Sequence, residues 1–373
     1  MNADKNLEIF LVTIPGLERL LRAEAAEKGF KKPKMTPGGV RFRGKWPEVW
    51  RANLELRGAS KVLVRIGSFE AMQLSQLDKR AQQFPWGDFL RPDVSVRVEA
   101  SCSNSRIYHS GAVVERFSKA IEKQLGASVS RDGDVTVKVR IADNTCTISI
   151  DTSGDGLHKR GHKEAVNKAP LRETLASLFL RHCGYDGGEP VVDPMCGSGT
   201  FPIEAAEIAA GLQPGRSRTF AFERLASYDP EAWQGLHRDD EVNATGVHFY
   251  GYDRDDGAIR ISRANAERAG VSDLIAFQVQ SVDQLTPPCA GPGLVIANPP
   301  YGARIGDVKQ LKALYRTFGE TVAAQFAGWR VGLVTNTESL AKATRLPFTH
   351  ISDPVSHGGI KVKVYATDPL AGL

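Results

Sequence analysis

Long uncharged hydrophobic runs and closely spaced cysteines are both missing from the sequence. No segment reaches the roughly 20 apolar residues that a membrane-spanning helix requires, so we expect no membrane association. None of the five cysteines belongs to a Cys-x-x-Cys pair, which argues against a structural zinc site and favours free thiols in a reducing cytoplasm. The first residues also lack the basic and then apolar order of a signal peptide. We therefore expect a cytoplasmic protein without a metal ion.

Acidic residues are scarce in the front half of the chain. Residues 1–170 hold 29 Lys and Arg against 20 Asp and Glu, whereas residues 171–373 hold 19 against 23. A basic front half joined to a mildly acidic rear half favours a polyanion-binding module attached to an enzyme body. A basic surface that is merely hydrated, with no partner, would produce the same counts.

Hydrophobic periodicity predicts two small α+β modules in the front half. The first is expected to contain strands at residues 7–14, 35–42 and 61–68, a helix that starts near Leu17 and stops at Gly29, and a helix at 47–56. The second is expected to contain strands at 94–100, 135–141 and 144–151, with helices at 74–83 and 111–125. Alternation such as Val135, Val137 and Val139 indicates a sheet with one buried face.

Strands and helices alternate throughout the rear half, which predicts a parallel, doubly wound sheet. The expected strands lie at 190–193, 247–252, 275–280, 294–298 and 330–335, with a final hairpin near 346–366. The expected helices lie at 171–183, 200–211, 257–269, 307–327 and 338–343. In such a sheet a ligand binds beyond the carboxyl ends of the strands.

The first rear strand runs into a loop of small residues, Asp193-Pro194-Met195-Cys196-Gly197-Ser198-Gly199-Thr200. Gly197 and Gly199 allow the backbone to approach a bound molecule closely. The loop lacks both the Gly-x-Gly-x-x-Gly spacing of dinucleotide sites and the Lys of a phosphate loop. A carboxylate at Asp193 would repel a pyrophosphate but could hold the amino group of a cationic amino-acid ligand. We therefore favour S-adenosylmethionine as the cofactor.

Polar residues also follow the next two predicted strands. Asp253 can accept hydrogen bonds from both ribose hydroxyls of an adenosyl group, and Arg254 comes directly after it. Ser281 and Val282 follow the third strand, where contacts to adenine are expected. Because the carboxyl ends of parallel strands share one edge, these residues are predicted to line one cofactor site. The other residues expected to bind the cofactor are Asp193, Met195, Cys196, Gly197, Ser198, Gly199 and Thr200 of the loop, and Asn298 after the fourth strand.

The fourth rear strand ends in Asn298-Pro299-Pro300-Tyr301, a rigid sequence that is rich in hydrogen-bond acceptors. An amino group on a planar ring or amide is a poor nucleophile because its lone pair is delocalised. The Asn298 side-chain oxygen and the Pro299 carbonyl could hold its two hydrogens, while Tyr301 stacks on the planar group. This predicts catalysis by positioning, with the four residues at the reacting centre. A simple strand-terminating turn would give the same tetrapeptide.

A dense polar and basic connector, Leu157-His158-Lys159-Arg160-Gly161-His162-Lys163, joins the two halves. The residues expected to contact RNA are His158, Lys159, Arg160, His162 and Lys163. The two histidines have no Cys or acidic partner at ligand spacing, which argues against a metal site. A connector that is basic only for solubility is the alternative.

These motifs together resemble a known family. The Asp193–Thr200 loop with Asn298-Pro299-Pro300-Tyr301-Gly302 resembles class I S-adenosylmethionine-dependent amino methyltransferases. Leu157–His162 followed by Ala169-Pro170-Leu171-Arg172-Glu173-Thr174-Leu175-Ala176 resembles the junction in RNA methyltransferases that carry a THUMP domain. Within that group the sequence is similar to the guanine-N2 methyltransferase half of RlmL-type enzymes of bacterial 23S rRNA. Phe220–Glu223 and Gly358–Val362 also look like that group.

The resemblance implies an α/β protein with an ordered set of domains. It implies an α+β ferredoxin-like region at 1–68, a THUMP RNA-binding domain at 69–155, a basic connector at 156–170 and a Rossmann-like class I methyltransferase domain at 171–373. The implied activity is methylation of guanine N2 in structured RNA, rRNA rather than tRNA, to give 2-methylguanosine. Some RlmL-type proteins carry a second methyltransferase half, which this sequence is expected to lack.

One position departs from the family pattern. The acid that is usual after the third strand is replaced by Ser281. The adenine contact is therefore expected from Ser281 itself, from Asp283 or from a backbone amide.

Other substrates and one non-catalytic role stay open at this point. DNA adenine N6, a protein glutamine amide and guanine in tRNA all present a comparable amino group, although a basic α/β module favours folded RNA over duplex DNA. Outside enzymes, the alternative is an RNA-binding assembly factor with a relict cofactor fold. Retention of Asn298 and Tyr301 beside the glycine loop argues against that role. The sequence does not predict an oligomeric state.

Overall fold

The computed structural model describes residues 6–163, 171–238, 246–301 and 308–372. The chain divides into two compact units. The N-terminal unit comprises Met1–Thr13, Leu21–Leu157 and Arg218–Arg238, and the C-terminal unit comprises Ile14–Leu20, His158–Ser217 and Asp239–Leu373. Residues 164–170 of the predicted connector, and Gly302 of the predicted site, lie outside the described residues.

Strands and helices follow one another through both units. The strands are β1 (Leu7–Val12), β2 (Lys34–Thr36), β3 (Gly39–Gly44), β4 (Lys61–Glu70), β5 (Val96–Ser103), β6 (Val135–Ala142), β7 (Thr145–Asp151), β8 (Val191–Asp193), β9 (Phe249–Asp253), β10 (Ile275–Val279), β11 (Leu294–Ala297), β12 (Arg330–Thr335), β13 (Phe348–Ile351), β14 (Val355–His357) and β15 (Ile360–Thr367). The helices are α1 (Glu18–Glu27), α2 (Trp46–Glu55), α3 (Leu74–Gln82), α4 (Ser110–Leu125), α5 (Glu173–His182), α6 (Thr200–Ala209), α7 (Pro230–Gln234), α8 (Asp256–Ala269), α9 (Val308–Gln325) and α10 (Glu338–Ala343).

A single sheet runs through the N-terminal unit. In the part of the chain that the structure describes, its strand order is β2-β3-β1-β4-β7-β6-β5. The sequence predicts two separate modules, but antiparallel pairing of β4 with β7, from Leu63 opposite Asp151 to Glu70 opposite Thr145, joins them. The register shifts between Arg65 and Gly67. A Cβ atom at Gly67 would stand 2.6 Å from the Phe84 ring, so glycine at this bend allows the ring to pack.

The two faces of this sheet differ in burial. In β1 and β6 every second residue is buried, as at Leu7, Ile9 and Leu11, and the residues between them are half-buried or exposed. One face is therefore covered, as the alternation in the sequence predicts. The other face, here called the open face, carries charged and hydroxyl side chains.

Aromatic residues of the Arg218–Arg238 segment form a cluster in the N-terminal unit. The Phe222 ring stacks on Trp50 of α2 with the ring centroids 6.1 Å apart, and the Trp233 ring meets Phe222 edge to face at 4.9 Å. Phe220 also stacks on Phe222, with centroids 5.2 Å apart. The Phe220–Glu223 motif therefore has a packing role in this unit.

A doubly wound sheet organises the C-terminal unit. Among the described residues its order is β10-β9-β8-β11-β12-β15-β13, and β14 pairs with β15. The first five strands in this order, β10, β9, β8, β11 and β12, are parallel, whereas β15 is antiparallel to β12 and β13. The final hairpin expected near 346–366 is instead the three strands β13, β14 and β15. The parallel order places the carboxyl ends of β8, β9, β10 and β11 along one edge, as predicted.

Helix α8 supports this edge. Its N-cap Asp255 accepts a hydrogen bond from the backbone N–H of Gly257 at 2.8 Å, and the helix ends at Gly270, whose φ is +73°. Such a cap and a left-handed terminal glycine satisfy the exposed backbone groups at the two helix ends. Among the helices of the described residues, none combines the length and the apolar character needed to cross a lipid bilayer.

Candidate functional site

Strand register places the predicted cofactor and catalytic residues at the same edge. Val192 of β8 lies opposite Tyr250 of β9 on one side and opposite Val295 of β11 on the other. Asp253 is the last residue of β9 and Asn298 directly follows the last residue of β11, so the two lie at the carboxyl ends of the two strands that flank β8. Neighbouring strands are about 4.8 Å apart, so the two strands that flank β8 lie about 10 Å apart, a span that one small ligand can bridge.

Backbone hydrogen bonds hold the glycine loop against β9 and α8. The Cys196 N–H donates to the Tyr252 carbonyl at 2.8 Å, and the Gly197 N–H donates to Asp253 Oδ2 at 3.0 Å. Two side chains of α8 bind the same loop from the other side. The Ser262 hydroxyl donates to the Gly197 carbonyl at 2.8 Å, and the Asn265 amide donates to the Ser198 carbonyl at 3.0 Å. The sequence did not single out Ser262 or Asn265, since polar residues inside a helix carry no distinct pattern.

Two glycines give this loop its shape. Gly197 has φ +56°, and a Cβ atom placed there would meet no atom within 4 Å, so the backbone borders open space. At Gly199, with φ +80°, a Cβ atom would stand 3.1 Å from that of Ser262. Gly197 thus leaves room for a bound molecule, whereas Gly199 permits close packing on α8. Thr200, the next residue, begins α6.

Asp193 is a buried carboxylate without a cationic partner among the described residues. Its side chain is 2% exposed, and Oδ1 accepts the Met195 N–H at 3.1 Å. Burial, and then the negative charge of Asp253, raise the pKa of Asp193 well above its usual value. Burial also raises the pKa of the neighbouring Cys196 thiol, which keeps that thiol neutral. A ligand that brings a positive charge to Asp193 would relieve its unfavourable environment.

The remaining predicted cofactor residues lie beyond β9 and β10. Both Asp253 oxygens already accept backbone N–H groups, from Gly197 and from Asp255 at 3.0 Å each, yet each carboxylate oxygen can accept a further hydrogen bond. Arg254 and Ser281 are exposed, and Val282 is buried. The Gln280 N–H donates to the Asp253 carbonyl at 2.9 Å, which ties the two strand ends together.

The Asn298–Tyr301 segment presents an unused acceptor. Asn298 Oδ1 is buried and has no hydrogen-bond partner among the described residues. Leaving a buried acceptor unsatisfied costs about 1–3 kcal/mol, so a site that keeps one usually has a use for it. Pro299 is buried, and Tyr301 is half-buried against the hydrophobic core that Met195 also contacts. Burial raises the pKa of Tyr301 to about 12, so its ring is neutral.

Two buried hydroxyl groups, those of Tyr315 and Thr335, lie next to the Asn298–Tyr301 segment. The Tyr315 hydroxyl of α9 lies 3.4 Å from the Pro300 carbonyl and 3.2 Å from Thr335 Oγ1 at the end of β12. Burial raises the pKa of Tyr315, so the phenol keeps its proton. Sequence reasoning missed both residues because each also fits the hydrophobic pattern of a core helix or strand.

Three connector residues face inward, which corrects their predicted role in RNA contact. Arg160 is 2% exposed, and its guanidinium lies 3.2 Å from Glu204, which is 1% exposed. Lys163 Nζ lies 3.0 Å from Glu173 and donates to the Thr200 hydroxyl at 2.9 Å. These cations are committed to acidic partners inside the C-terminal unit, so they help to fix α6 and the glycine loop.

His162 is the third inward residue. It is 4% exposed, and its Nδ1 lies 4.0 Å from Glu207 Oε1, which also binds Arg216 at 2.6 Å. Burial lowers the pKa of His162, which favours the neutral imidazole. A buried neutral ring cannot pair with a phosphate on the surface. Lys159 is exposed and His158 is half-buried, so RNA contact stays a prediction for these two.

No group of three or more His, Cys, Asp or Glu residues is arranged to hold a metal ion within the ranges that the structure describes. The polar groups of the predicted site are Asp193, Asp253, Asn298 and the backbone around them. These groups provide buried negative charge and hydrogen-bond acceptors. Such a set suits an organic ligand with a positive charge and a second molecule with an amino group.

Family comparisons cover most of the chain. Residues 8–63 match the RlmL ferredoxin-like domain, residues 71–151 match the THUMP domain, and residues 160–358 match the RMKL-like methyltransferase domain. The order of these matches confirms the predicted fold class, a Rossmann-like class I methyltransferase domain preceded by α+β ferredoxin-like and THUMP domains.

Individual relatives extend this result. Two relatives are named ribosomal RNA large subunit methyltransferase K/L. The one from Psychromonas ingrahamii is 35% identical to this chain over 88% of its length, and the one from Aliivibrio salmonicida is 34% identical over 90%. The chain spans about half the length of these relatives, 46% and 50%. A solved structure of SMU.472, a candidate methyltransferase complexed with SAH, superposes with a TM-score of 0.88 at 25% identity, covering 99% of each chain. The chain belongs to the family of RMKL-like methyltransferase domains.

Proposed function

We propose that this protein is an S-adenosylmethionine-dependent RNA methyltransferase that methylates the N2 amino group of guanine in 23S rRNA. The observation that carries the proposal is the buried Oδ1 of Asn298 at the carboxyl end of β11, which has no hydrogen-bond partner among the described residues. An acceptor kept free at the edge of a doubly wound sheet is suited to an amino N–H of a substrate.

The residues on the other side of β8 fit the cofactor. Asp193, whose burial raises its pKa, gains a counter-charge from a cationic α-amino group. Asp253 has acceptor capacity left for ribose hydroxyls, and the open space at Gly197 admits the ligand close to the backbone. When bound, S-adenosylmethionine supplies an electrophilic methyl group. The SAH complex of SMU.472, with the same overall fold, supports this choice of cofactor.

Asn298 and its neighbours act on the nucleophile. The carboxamide oxygen of Asn298 and the carbonyl of Pro299 each accept a hydrogen bond from one N–H of an exocyclic amino group. These two hydrogen bonds fix the direction of the nitrogen lone pair. Tyr301, neutral at physiological pH, offers its ring as a stacking surface. Positioning of this kind can supply roughly 7–11 kcal/mol, so no strong base is required before the nitrogen becomes cationic and loses its proton. Chemistry at a base edge also requires the base to be unstacked or single-stranded.

RNA is favoured as the substrate class by the front half of the chain. The matched THUMP domain, the excess of Lys and Arg in residues 1–170 and the names of the two relatives support RNA, and ribosomal rather than transfer RNA. A reducing cytoplasm, where rRNA is modified, fits the free cysteines.

Transfer of a labelled methyl group to purified RNA tests this function. We expect label in 23S rRNA from cells that lack the protein, and 2-methylguanosine after nuclease digestion and mass spectrometry. Parallel reactions with tRNA, duplex DNA and total protein cover the other acceptors that share an amino group. Label only in adenine of DNA, or in glutamine of protein, would overturn the proposal.

A further inference from the structure

The open face of the N-terminal sheet carries an excess of positive charge. Its strand residues include eight cations and four acids: Lys34, Arg41, Arg43, Lys61, Arg65, Arg97, Lys138 and Arg140 against Glu8, Glu70, Glu99 and Asp151. The proposed function requires an RNA-binding surface but does not say where it lies. The inward-facing cations of the connector cannot provide it, so other cations must.

Cross-strand register arranges part of this charge into one row. Arg43 of β3 lies opposite Glu8 of β1, which lies opposite Arg65 of β4. The row continues through Ser149 of β7 to Lys138 of β6. Arg43, Arg65 and Lys138 are therefore each two strands apart, which corresponds to about 10 Å at ordinary strand spacing. A second row lies beside the first and runs from Ser101 of β5 through Arg140 of β6 and Thr147 of β7 to Ser68 of β4.

The acids of the face align some cations and leave others free. Glu8 pairs with Arg65 and lies 3.6 Å from Arg41, and it thereby fixes two guanidinium groups side by side. Arg65 also lies over the Phe10 ring, 4.9 Å from its centroid. Arg43 and Arg140 form no ion pair with any described residue and are exposed. The face thus combines oriented guanidinium groups with two unpaired ones.

Two clefts run over this face. One, of about 480 Å³, is bordered by Phe10, Lys138 and Arg140, and the other, of about 360 Å³, by Arg41 and Arg43. Arg65 and Thr147 line both clefts, so the two clefts adjoin each other on the sheet.

We infer that the open face of the N-terminal sheet is the surface that binds the phosphodiester backbone of the substrate RNA. Guanidinium and ammonium groups pair with phosphate oxygens, and Ser and Thr hydroxyls complete the contacts to phosphate and sugar. Apolar side chains are few and partly buried, which disfavours a lipid surface or a hydrophobic protein partner. The inference deepens the proposed function, on which the choice of RNA as the ligand rests.

A charge-matched pair of triple variants of the full chain tests the inference. The face variant is Arg43→Gln, Arg65→Gln and Arg140→Gln. The control variant is Lys79→Gln, Arg80→Gln and Lys123→Gln, which removes three exposed cations from α3 and α4. Binding of a 23S rRNA transcript is measured against salt concentration, and thermal unfolding checks that both variants fold.

We expect the face variant to bind the transcript roughly 10- to 100-fold more weakly, with a salt slope lower by about 2–3 because up to three phosphate contacts are lost. The control variant should keep wild-type affinity and slope. Equal losses in both variants, or no loss in the face variant, would overturn the inference.

Methyl transfer by the same proteins separates this inference from the proposed function. The face variant should raise the KM for RNA and retain the kcat at saturating transcript. Face-dependent binding without any methyl transfer by the wild-type protein would sink the proposed function and leave the RNA-binding face standing. Methyl transfer with an unchanged KM in the face variant would do the reverse.

Discussion

Charged side chains occupy opposite environments in the two units. On the open face, Glu8 pairs with Arg65 where both side chains are partly exposed, at 20% and 30%. In the C-terminal unit, the Arg160 and Glu204 pair is almost wholly buried, and Asp193 is buried without a cationic partner in the part of the chain that the structure describes. Desolvation is small in the first case and large in the second. Exposed charges remain available to a macromolecular ligand, whereas buried charges fix the backbone or are available to a small ligand.

This contrast separates exposed charges that bind a macromolecule from buried charges that hold the backbone or a small ligand in position. Removing a cation from the open face should lower RNA affinity and leave the fold intact. Removing a charge from the C-terminal unit should change stability, cofactor affinity or turnover instead. Four substitutions of buried groups in the C-terminal unit test this difference, from the largest expected effect to the smallest.

Arg160→Met should give the largest change. The substitution leaves Glu204 buried without this partner, which costs about 3–5 kcal/mol of unfolding free energy. Chemical denaturation measures the loss, and RNA affinity of the folded variant should equal that of the wild type. Lys159→Met, at the exposed neighbouring position, should shift stability by no more than about 0.5 kcal/mol. Weaker RNA binding with intact stability in Arg160→Met would restore the sequence-based role of this residue.

Asn298→Ala should come next. Removing the free acceptor is expected to lower the single-turnover rate of methyl transfer by roughly 10²–10³-fold, or about 2.7–4 kcal/mol, while calorimetry shows unchanged cofactor binding. Asn336→Ala, one residue past the end of the neighbouring strand β12, serves as the control. An equal loss in the control would show that any amide at this edge matters, and would remove the special role of Asn298.

Asp193→Asn should weaken cofactor binding and stabilise the ligand-free protein. Losing a charge-assisted hydrogen bond of about 1.5–3 kcal/mol lowers affinity by roughly 10- to 150-fold, as calorimetry would measure. Burial holds the pKa of Asp193 well above its ordinary 3.8. As the pH rises above that value the unfolded chain ionises first, so the wild-type protein loses stability until the folded pKa is passed.

Thermal unfolding without ligand checks this sign. The Tm of Asp193→Asn should exceed that of the wild type at neutral pH, and the difference should shrink in acid. Asp273→Asn, at an exposed site of the same unit, should change neither quantity. A lower Tm for Asp193→Asn at neutral pH would show that the carboxylate is satisfied without a ligand.

Tyr315→Phe should have the smallest effect. Loss of the hydroxyl beneath Pro300 should cost about 0.5–1.5 kcal/mol of stability and lower kcat by roughly 2- to 10-fold at constant KM for RNA. Tyr185→Phe deletes a comparable buried hydroxyl, which donates to the Ala205 carbonyl at 2.8 Å away from the predicted catalytic segment. It should cost similar stability with no change in kcat. Equal kcat for both variants would assign Tyr315 a purely structural role.

Local pattern was sufficient to predict most elements and the edge where the candidate site lies. In strand β6 every second residue is buried over its whole length, and β8, β9 and β11 each end in a polar residue or run into one. Such signals depend on neighbours in sequence, and they survive folding because one face of each element has to be buried.

Long-range pairing and the environment of a charge were not predictable in this way. The β4–β7 pairing joins residues more than 70 positions apart through a register shift, and no local signal marks it. Arg160 and Lys159 are adjacent cations of the same connector, yet Arg160 is buried beside Glu204 and Lys159 is exposed, and nothing in their local sequence marks this difference. The free acceptor of Asn298 likewise depends on what surrounds it in space.

The β4–β7 pairing also makes the two front modules dependent on one another. A chain cut after Glu70 would leave β4, from Leu63 to Glu70, with an unpaired hydrogen-bonding edge that is open to pairing with another molecule. In the intact chain, the ferredoxin-like and THUMP portions should therefore unfold in one thermal transition. Neither portion should be recoverable as a monomer when it is expressed alone.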